Sequence, residues 1–433
     1  MEDENHSLVW EGLRQGSVVS MIDSRDGLVA ALHEAAELEH GLLLQYLFAA
    51  LSMKKELSEG VQPEELELVR EWEGVILGIA RQEMAHLGTV CNLLSAVGAS
   101  PHFSRPNFPQ PPKQYYPFDF RLTRFSDEAL YRFIRFELPK GEPPPDPPGS
   151  LLTRGHPMLA LLDVGHVVPE PLEYEYVGEL YGQIEQAFLS LPEQDLFIGP
   201  TYAQDSDDWS RRMNLLLVKD RKTGKAAIDS IVMEGEGAPG KRENSHYAKF
   251  IAIRKALNDA ANANQGFDPA RPVLANPLTR RHRDAPGGAP VVTARAAVSV
   301  SDLFNAAYEA ALLMLVQFYS YGGESAGQRL ALRNGIRELM STALRPLAEI
   351  LTTLPATEDG ASGTAGPTFE LFSTVSIAAN LPNRWTVLIE HLTAIADAGK
   401  TLVAVHPRIP HIAQNLTWLA LNIDIAAKSE PSH

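Results

Sequence analysis

Ile79-Ala-Arg-Gln-Glu-Met-Ala-His-Leu-Gly-Thr-Val90 puts an acid and an imidazole three residues apart inside an apolar helical pattern. Followed outward at spacings of three and four, one stripe reads Val69, Trp72, Ile76, Ile79, Glu83, His86, Val90, Leu93 and Val97. Only Glu83 and His86 interrupt it. A buried carboxylate or imidazolium without a partner is destabilising by several kcal/mol, so the pair needs a compensating charge or a bound cation. The helix is expected from Pro63 to Val97, with proline in its first turn and Gly98 after its end.

Two other helices carry related stripes. The first, from about Asp26 to Leu57, reads Leu32, Ala35, Glu39, Leu42, Tyr46, Ala49 and Met53. The fourth, from about Lys241 to Ala261, reads Glu243, His246, Phe250, Ile253, Leu257 and Ala260. A third helix is expected from Leu172 to Leu191. Helices one and two are joined by a short link, whereas helices two and three are separated by Gly98 to Pro171. A single long crossover of this kind belongs to the ferritin-like arrangement rather than to an up-down-up-down bundle.

The expected fold is therefore all-α. A ferritin-like four-helix bundle occupies residues 20–265 and a C-terminal helical region, packed on it, residues 290–433. That region has pieces at Leu303–Tyr321, Gly327–Leu354 and Arg384–Ala398. Within the bundle, Asn214–Val218, the turn Asp220–Gly224 and Ala226–Val232 read as an inserted β-hairpin. The proline-rich stretches Pro101–Pro117 and Pro139–Pro148 read as loops, with a short mixed segment, Tyr131–Pro139, between them.

Two Glu-x-x-His helices plus one glutamate from each remaining helix is the ligand set of di-iron carboxylate bundles. Four carboxylates balance two divalent ions, and oxygen and imidazole donors without thiolate suit iron, with manganese the alternative. The candidate ligands are Glu39, Glu83, His86, Glu179, Glu243 and His246, the four glutamates also being counted as catalytic together with Tyr46. Glu37 and His40 compete with Glu39, because they flank a second apolar stripe of Leu44, Leu47 and Leu51. On helix three Glu173, Glu175 and Glu185 compete with Glu179, which is chosen for its spacing between Tyr176 and Gln183. Tyr46 reads as a packed or hydrogen-bonding tyrosine beside the site.

Several segments resemble the ferritin-like domain of the iminophenyl-pyruvate dimer synthase family, which includes violacein- and rebeccamycin-pathway enzymes. They are Leu38-Glu-His40 with Tyr46-Leu-Phe-Ala-Ala50, Glu83-Met-Ala-His86 with Asn92-Leu-Leu94 and Gly98, and Gly178-Glu-Leu-Tyr181. Gly235-Glu-Gly237 leading to Ser245-His-Tyr247, and Gly366-Pro-Thr-Phe-Glu370, complete the set. The resemblance runs from about residue 25 to 370 and implies Glu39, Glu83, His86, Glu179 and His246 as ligands, with Glu243 as the partner of His246. The coupling enzymes carry a large further region ahead of this part, so the expectation here is a stand-alone form.

The di-iron ligand set points to an O2-activating oxidase or oxygenase, and the resemblance to its substrate class. Its substrate would be a small amino-acid-derived molecule, an imine or keto acid, in specialised metabolism. An electron donor or an upstream amino-acid oxidase would be a partner, and a homodimer is an expected assembly. Rival readings are di-metal peroxide detoxification and a metal-stabilised bundle without catalysis. Bulk properties agree with a small-molecule substrate. The 433-residue chain carries a net charge of −16 and a pI near 5.3, which disfavours nucleic acid and anionic membrane as partners. One cysteine, Cys91, and an acidic N-terminus without an apolar stretch fit a cytoplasmic location.

Overall fold

The computed structural model describes residues 22–110, 119–147, 172, 174–206, 215–235, 244–280, 290–320 and 322–429. Glu243 and Glu173 lie outside these residues, as do parts of both proline-rich stretches.

Two long antiparallel helices form the spine: α1, Arg25–Leu51, and α2, Pro63–Ala96. Ser24 caps α1 through its hydroxyl, which accepts from Gly27 N, and Gln62 and Glu65 form a reciprocal cap on α2. Both helices are apolar on more than one face because four shorter helices pack around them. These are α3, Asp127–Phe136; α4, Val177–Ser190; α5, Arg221–Glu234; and α6, His246–Ala263. They pack as two pairs, α3 with α6 and α4 with α5; α1 touches α3 and α4, and α2 touches α5 and α6.

The expected β-hairpin is not formed, and among the described residues there are isolated β-bridges but no sheet. Ala226–Val232 instead belongs to α5. Asp220 caps that helix: Thr223 N donates to its Oδ1 at 2.8 Å, and its own N–H donates to Thr223 Oγ1 at 3.1 Å. The buried set Gly224, Ala227, Ile228 and Ile231 has helical spacing. Gly224 is small to fit Phe188, not to turn a hairpin: a Cβ there would sit 3.3 Å from that ring. Leu215–Val218 has no regular secondary structure and is held by the Gln204 side-chain amide, which bonds both the N–H and the carbonyl of Val218 at 2.7 Å. The mixed segment is likewise corrected. Its first part lies in α3, capped by Ser126, and Glu137 is the residue at which α3 ends.

The C-terminal region contains α7, Arg295–Tyr319; α8, Ala326–Leu339; α9, Arg345–Leu351; α10, Leu381–Thr401; and α11, Ile409–Ala427. A π-turn at Met340–Leu344 joins α8 to α9 just before Pro346, which has no N–H to continue the regular ladder. One apolar cluster runs from Ile22 through Ile423, so bundle and C-terminal helices share a continuous core. By length and composition α7 is the one described helix able to cross a membrane, and 61% of its apolar window is buried within the protein.

Candidate metal centre

The interruption in the α2 stripe is where the shorter helices converge. Glu39 comes from the middle of α1, Glu83 and His86 from the middle of α2, Glu137 from the end of α3, and His246 from the first position of α6. Ser245 fixes that last position by accepting from Ala248 N. All five ligand candidates are at most 3% exposed.

Glu83 stands at the centre. Its Oε2 lies 2.9 Å from His86 Nδ1, and its Oε1 lies 2.9 Å from His246 Nδ1. Glu39 Oε2 is 3.6 Å from His86 Nδ1, and Glu137 Oε1 is 3.4 Å from His246 Nδ1. The result is two buried groups, Glu39–Glu83–His86 and Glu83–Glu137–His246, with Glu83 common to both. Donor atoms around one octahedral ion with bonds of about 2.1 Å stand roughly 3 Å apart, close to the spacings here. The imidazoles are 5.7 Å apart, centroid to centroid.

The donors facing inward lack other partners. Glu39 Oε2, Glu83 Oε1, Glu137 Oε2 and His246 Nδ1 are buried without a hydrogen bond. An unsatisfied buried polar atom costs about 1–3 kcal/mol, more when charged, so four of them in one spot fit a cation site. The charges of the metal-free cluster point the same way. Burial pushes the Glu39 carboxyl up to about 7, with His86 opposing it. Burial opposes ionisation of Glu83 as well, but His246 and His86 overcome it and hold that carboxyl well below the usual range. Burial would lower both histidines; Glu83 instead lifts His86 well above its ordinary value, and Glu137 with Glu83 lifts His246 to about 9. Two imidazolium protons thus stand where two cations would.

A surrounding layer orients the ligands. Tyr46 donates to Glu137 Oε1 at 2.6 Å, and Tyr181, on α4, donates to Glu39 Oε1. The imidazole N–H at Nε2 of His246 is 3.2 Å from Gln82 Oε1, and Gln82 Nε2 donates to Glu234 Oε2 at 3.1 Å. Glu234, at the end of α5, also lies 3.5 Å from His86 Nε2. Carboxylate or carbonyl acceptors on the outer nitrogen are what fixes a metal-binding histidine with Nδ1 free. Gly235 completes the wall: a Cβ there would fall 2.6 Å from His246 Nδ1.

Glu39, Glu83, His86 and His246 are brought together, and Tyr46 touches the site through Glu137. The rivals on α1 point elsewhere, Glu37 to His102 at 3.1 Å and His40 to Tyr308 at 2.7 Å. Glu179 does not join either group. It lies in the first turn of α4, accepts from Glu175 N at 2.9 Å and faces Lys140 at 3.3 Å, with 28% of its side chain exposed. The residue of the Gly178-Glu-Leu-Tyr181 motif that reaches the centre is the tyrosine. α6 starts at His246 rather than at Lys241, and Glu243 lies outside the described residues. The sequence reading missed Glu137, Glu234 and Tyr181. Glu137 did leave a signal: Phe133 precedes it by one helical turn, so an acid ends an apolar stripe.

A ferritin-like family profile matches residues 32–255. The chain belongs to the ferritin-like family. The matched span contains every ligand candidate named above. Two curated relatives align over much of the chain. Dichlorochromopyrrolate synthase of Lentzea aerocolonigenes is 28% identical over 440 residues, 92% of this chain and 41% of that protein. The 2-imino-3-(indol-3-yl)propanoate dimerase of Chromobacterium violaceum is 29% identical over 377 residues, 80% of this chain and 34% of that protein. The ferritin-like chain thus spans less than half the length of either relative, and the family resemblance read from the motifs holds. A solved ferritin-like protein from Caulobacter vibrioides is 17% identical, with a TM-score of 0.39, covering 64% of this chain and 82% of its own.

Proposed function

We infer that the chain is a non-haem di-iron oxidoreductase that uses O2 to oxidise a small amino-acid-derived acid or imine. The observation that carries this reading is the carboxylate of Glu83, shared between two buried three-residue groups whose inward donors are otherwise unsatisfied. A bound iron pair supplies the reduction of O2 coupled to oxidation of an organic substrate.

The chain's own residues do the rest. Glu39, Glu83, Glu137, His86 and His246 supply fewer donors than two octahedral ions take, which leaves room for O2 and substrate atoms. Tyr181 and Tyr46 hold the Glu39 and Glu137 carboxylates in orientation, and burial excludes bulk water from the reacting space. The substrate class is supported by the names of the two relatives, a synthase of dichlorochromopyrrolate and a dimerase of 2-imino-3-(indol-3-yl)propanoate.

The test is anaerobic loading with Fe(II), elemental analysis, and O2 uptake measured with and without an indole-3-pyruvate-derived imine. Two irons per chain with substrate-dependent O2 uptake is the expected result. Iron binding with rapid disproportionation of H2O2 and no substrate dependence would replace this reading by peroxide detoxification.

A further inference from the structure

α11 is apolar on two faces. Ile412, Leu416, Leu419 and Ile423 turn inward and are buried, with α8, α9 and α10 packed on the helix. Trp418, Leu421 and Ile425 form a second row at spacings of three and four, and they remain 54%, 46% and 59% exposed. A helix with apolar side chains all round is normally buried all round. The outer row is also uncharged: residues 409–423 contain no aspartate, glutamate, lysine or arginine. In a chain with a net charge of −16, a second copy can approach here without meeting a row of its own acids.

The row is self-complementary. About a twofold axis between Leu421 and Asn422, an antiparallel copy sets Trp418 against Ile425 of the second copy and Lys428 level with Asn415 of the second copy. An antiparallel pair also brings like flanks together, and Lys428 leaves the flank of α11 that carries Ala413 and meets α10. A Cβ on Gly399 of α10 would lie 3.2 Å from Ala413 Cβ, so two residues further along each helix Asp397 is level with Asn415. Lys428 of one copy therefore faces Asp397 of the other, twice over by symmetry. Both are exposed and hold partners on their own helices, Lys428 with Asp424 and Asp397 with Lys400, so the contact widens two surface pairs into a four-charge group at each end.

We propose that the outer face of α11 is a self-association surface, which pairs two copies of this chain antiparallel about Leu421 and Asn422. The three apolar side chains expose on the order of 300 Å2, so the pair covers about 600 Å2 of apolar surface, the centre of a standard contact of about 1,600 Å2. Gln414, Thr417 and Asn422 form its polar rim. The surface stands independently of the metal centre.

The experiment is sedimentation velocity of the full chain from about 1 to 100 µM, for wild type and for the double variant Leu421→Glu/Ile425→Glu, with circular dichroism of each. Wild type is expected to be dimeric with a Kd of about 10 µM or tighter, and the double variant to weaken the dimer about a hundredfold or more with unchanged helix content. Asn422→Cys, which keeps the apolar row, is expected to give a disulfide-linked dimer on mild oxidation; the native Cys91 is buried and does not compete. Wild type that stays monomeric throughout overturns the proposal and leaves the row to another part of this chain or to a different protein. A dimer that survives both glutamates, or one in which Asn422→Cys fails to cross-link, overturns the placement on α11.

Discussion

Glu83 Oε1 and His246 Nδ1 lie 2.9 Å apart in the core of the bundle, an ion pair with no exposure to solvent when the imidazole is protonated. The other oxygen of the same carboxylate faces His86 at the same distance. One side chain therefore serves both halves of the centre, and its removal should empty both. Glu83→Gln keeps the volume and deletes the charge. Elemental analysis after dialysis should find less than one metal per chain; full occupancy would mean that Glu83 does not bridge.

The third carboxylate distinguishes the structure from the pattern in the sequence. Glu137→Gln should lower metal affinity by tenfold or more, because it removes a donor beside His246. Glu179→Gln should leave it within twofold, since Glu179 faces Lys140 and solvent. Metal titration of the two variants side by side decides between them.

Stripe periodicity revealed Glu39, Glu83, His86 and His246, because each lies on a row of residues spaced three and four apart that is otherwise apolar apart from the acids and imidazoles themselves. Glu137 and Glu234 stay hidden for a common reason. Each stands at the end of a short helix, where one turn of pattern is too little to register, and their approach to the site depends on tertiary packing. The misread hairpin has a different origin. β-branched residues and a polar turn outweighed Asp220 and Thr223, whose reciprocal capping starts a helix. The Glu-Leu-Tyr triplet of α4 drew attention to its acid for chemical reasons, yet the face that meets Glu39 carries Tyr181.

Metal uptake should release protons. In the metal-free protein Glu39 titrates near 7 and His246 near 9, both above their ordinary values. Ions must displace those protons, so affinity should rise with pH from 6 to about 9. Metal-free stability should move the other way. Groups whose folded pKa is raised bind more protons folded than unfolded, so their contribution is complete below the unfolded value and fades as pH climbs through the folded one. For Glu39 and His246 that window runs from about 4.5 to about 9. Thermal melts at pH 6 and pH 9 should show the metal-free Tm falling and the metal-loaded Tm holding; a metal-free Tm that rises would contradict the assigned shifts.

Tyr181→Phe isolates one outer hydrogen bond. The phenol donates to Glu39 in a fully buried setting, and its loss leaves that carboxylate one donor short. Metal affinity should fall by about 10–100-fold, the usual effect of deleting an outer-layer partner. Near-UV circular dichroism should report intact packing, because the ring itself remains.

Gly235→Ala asks whether the wall beside His246 tolerates a single carbon. The glycine has a φ of −129°, outside the left-handed region that favours glycine. The added Cβ would lie 2.6 Å from His246 Nδ1 and 3.2 Å from Glu137 Oε2, closer than packed atoms approach. His246 is fully buried and cannot swing aside without disturbing Glu83 and Gln82. Metal affinity should therefore drop by tenfold or more while helix content stays the same. Gly182→Ala is the control: nothing stands within 4 Å of its Cβ position, and a helical glycine exchanged for alanine should stabilise α4 by about 0.5–1 kcal/mol. Equal metal affinity in the two variants would show that the space beside Gly235 is not needed by the centre.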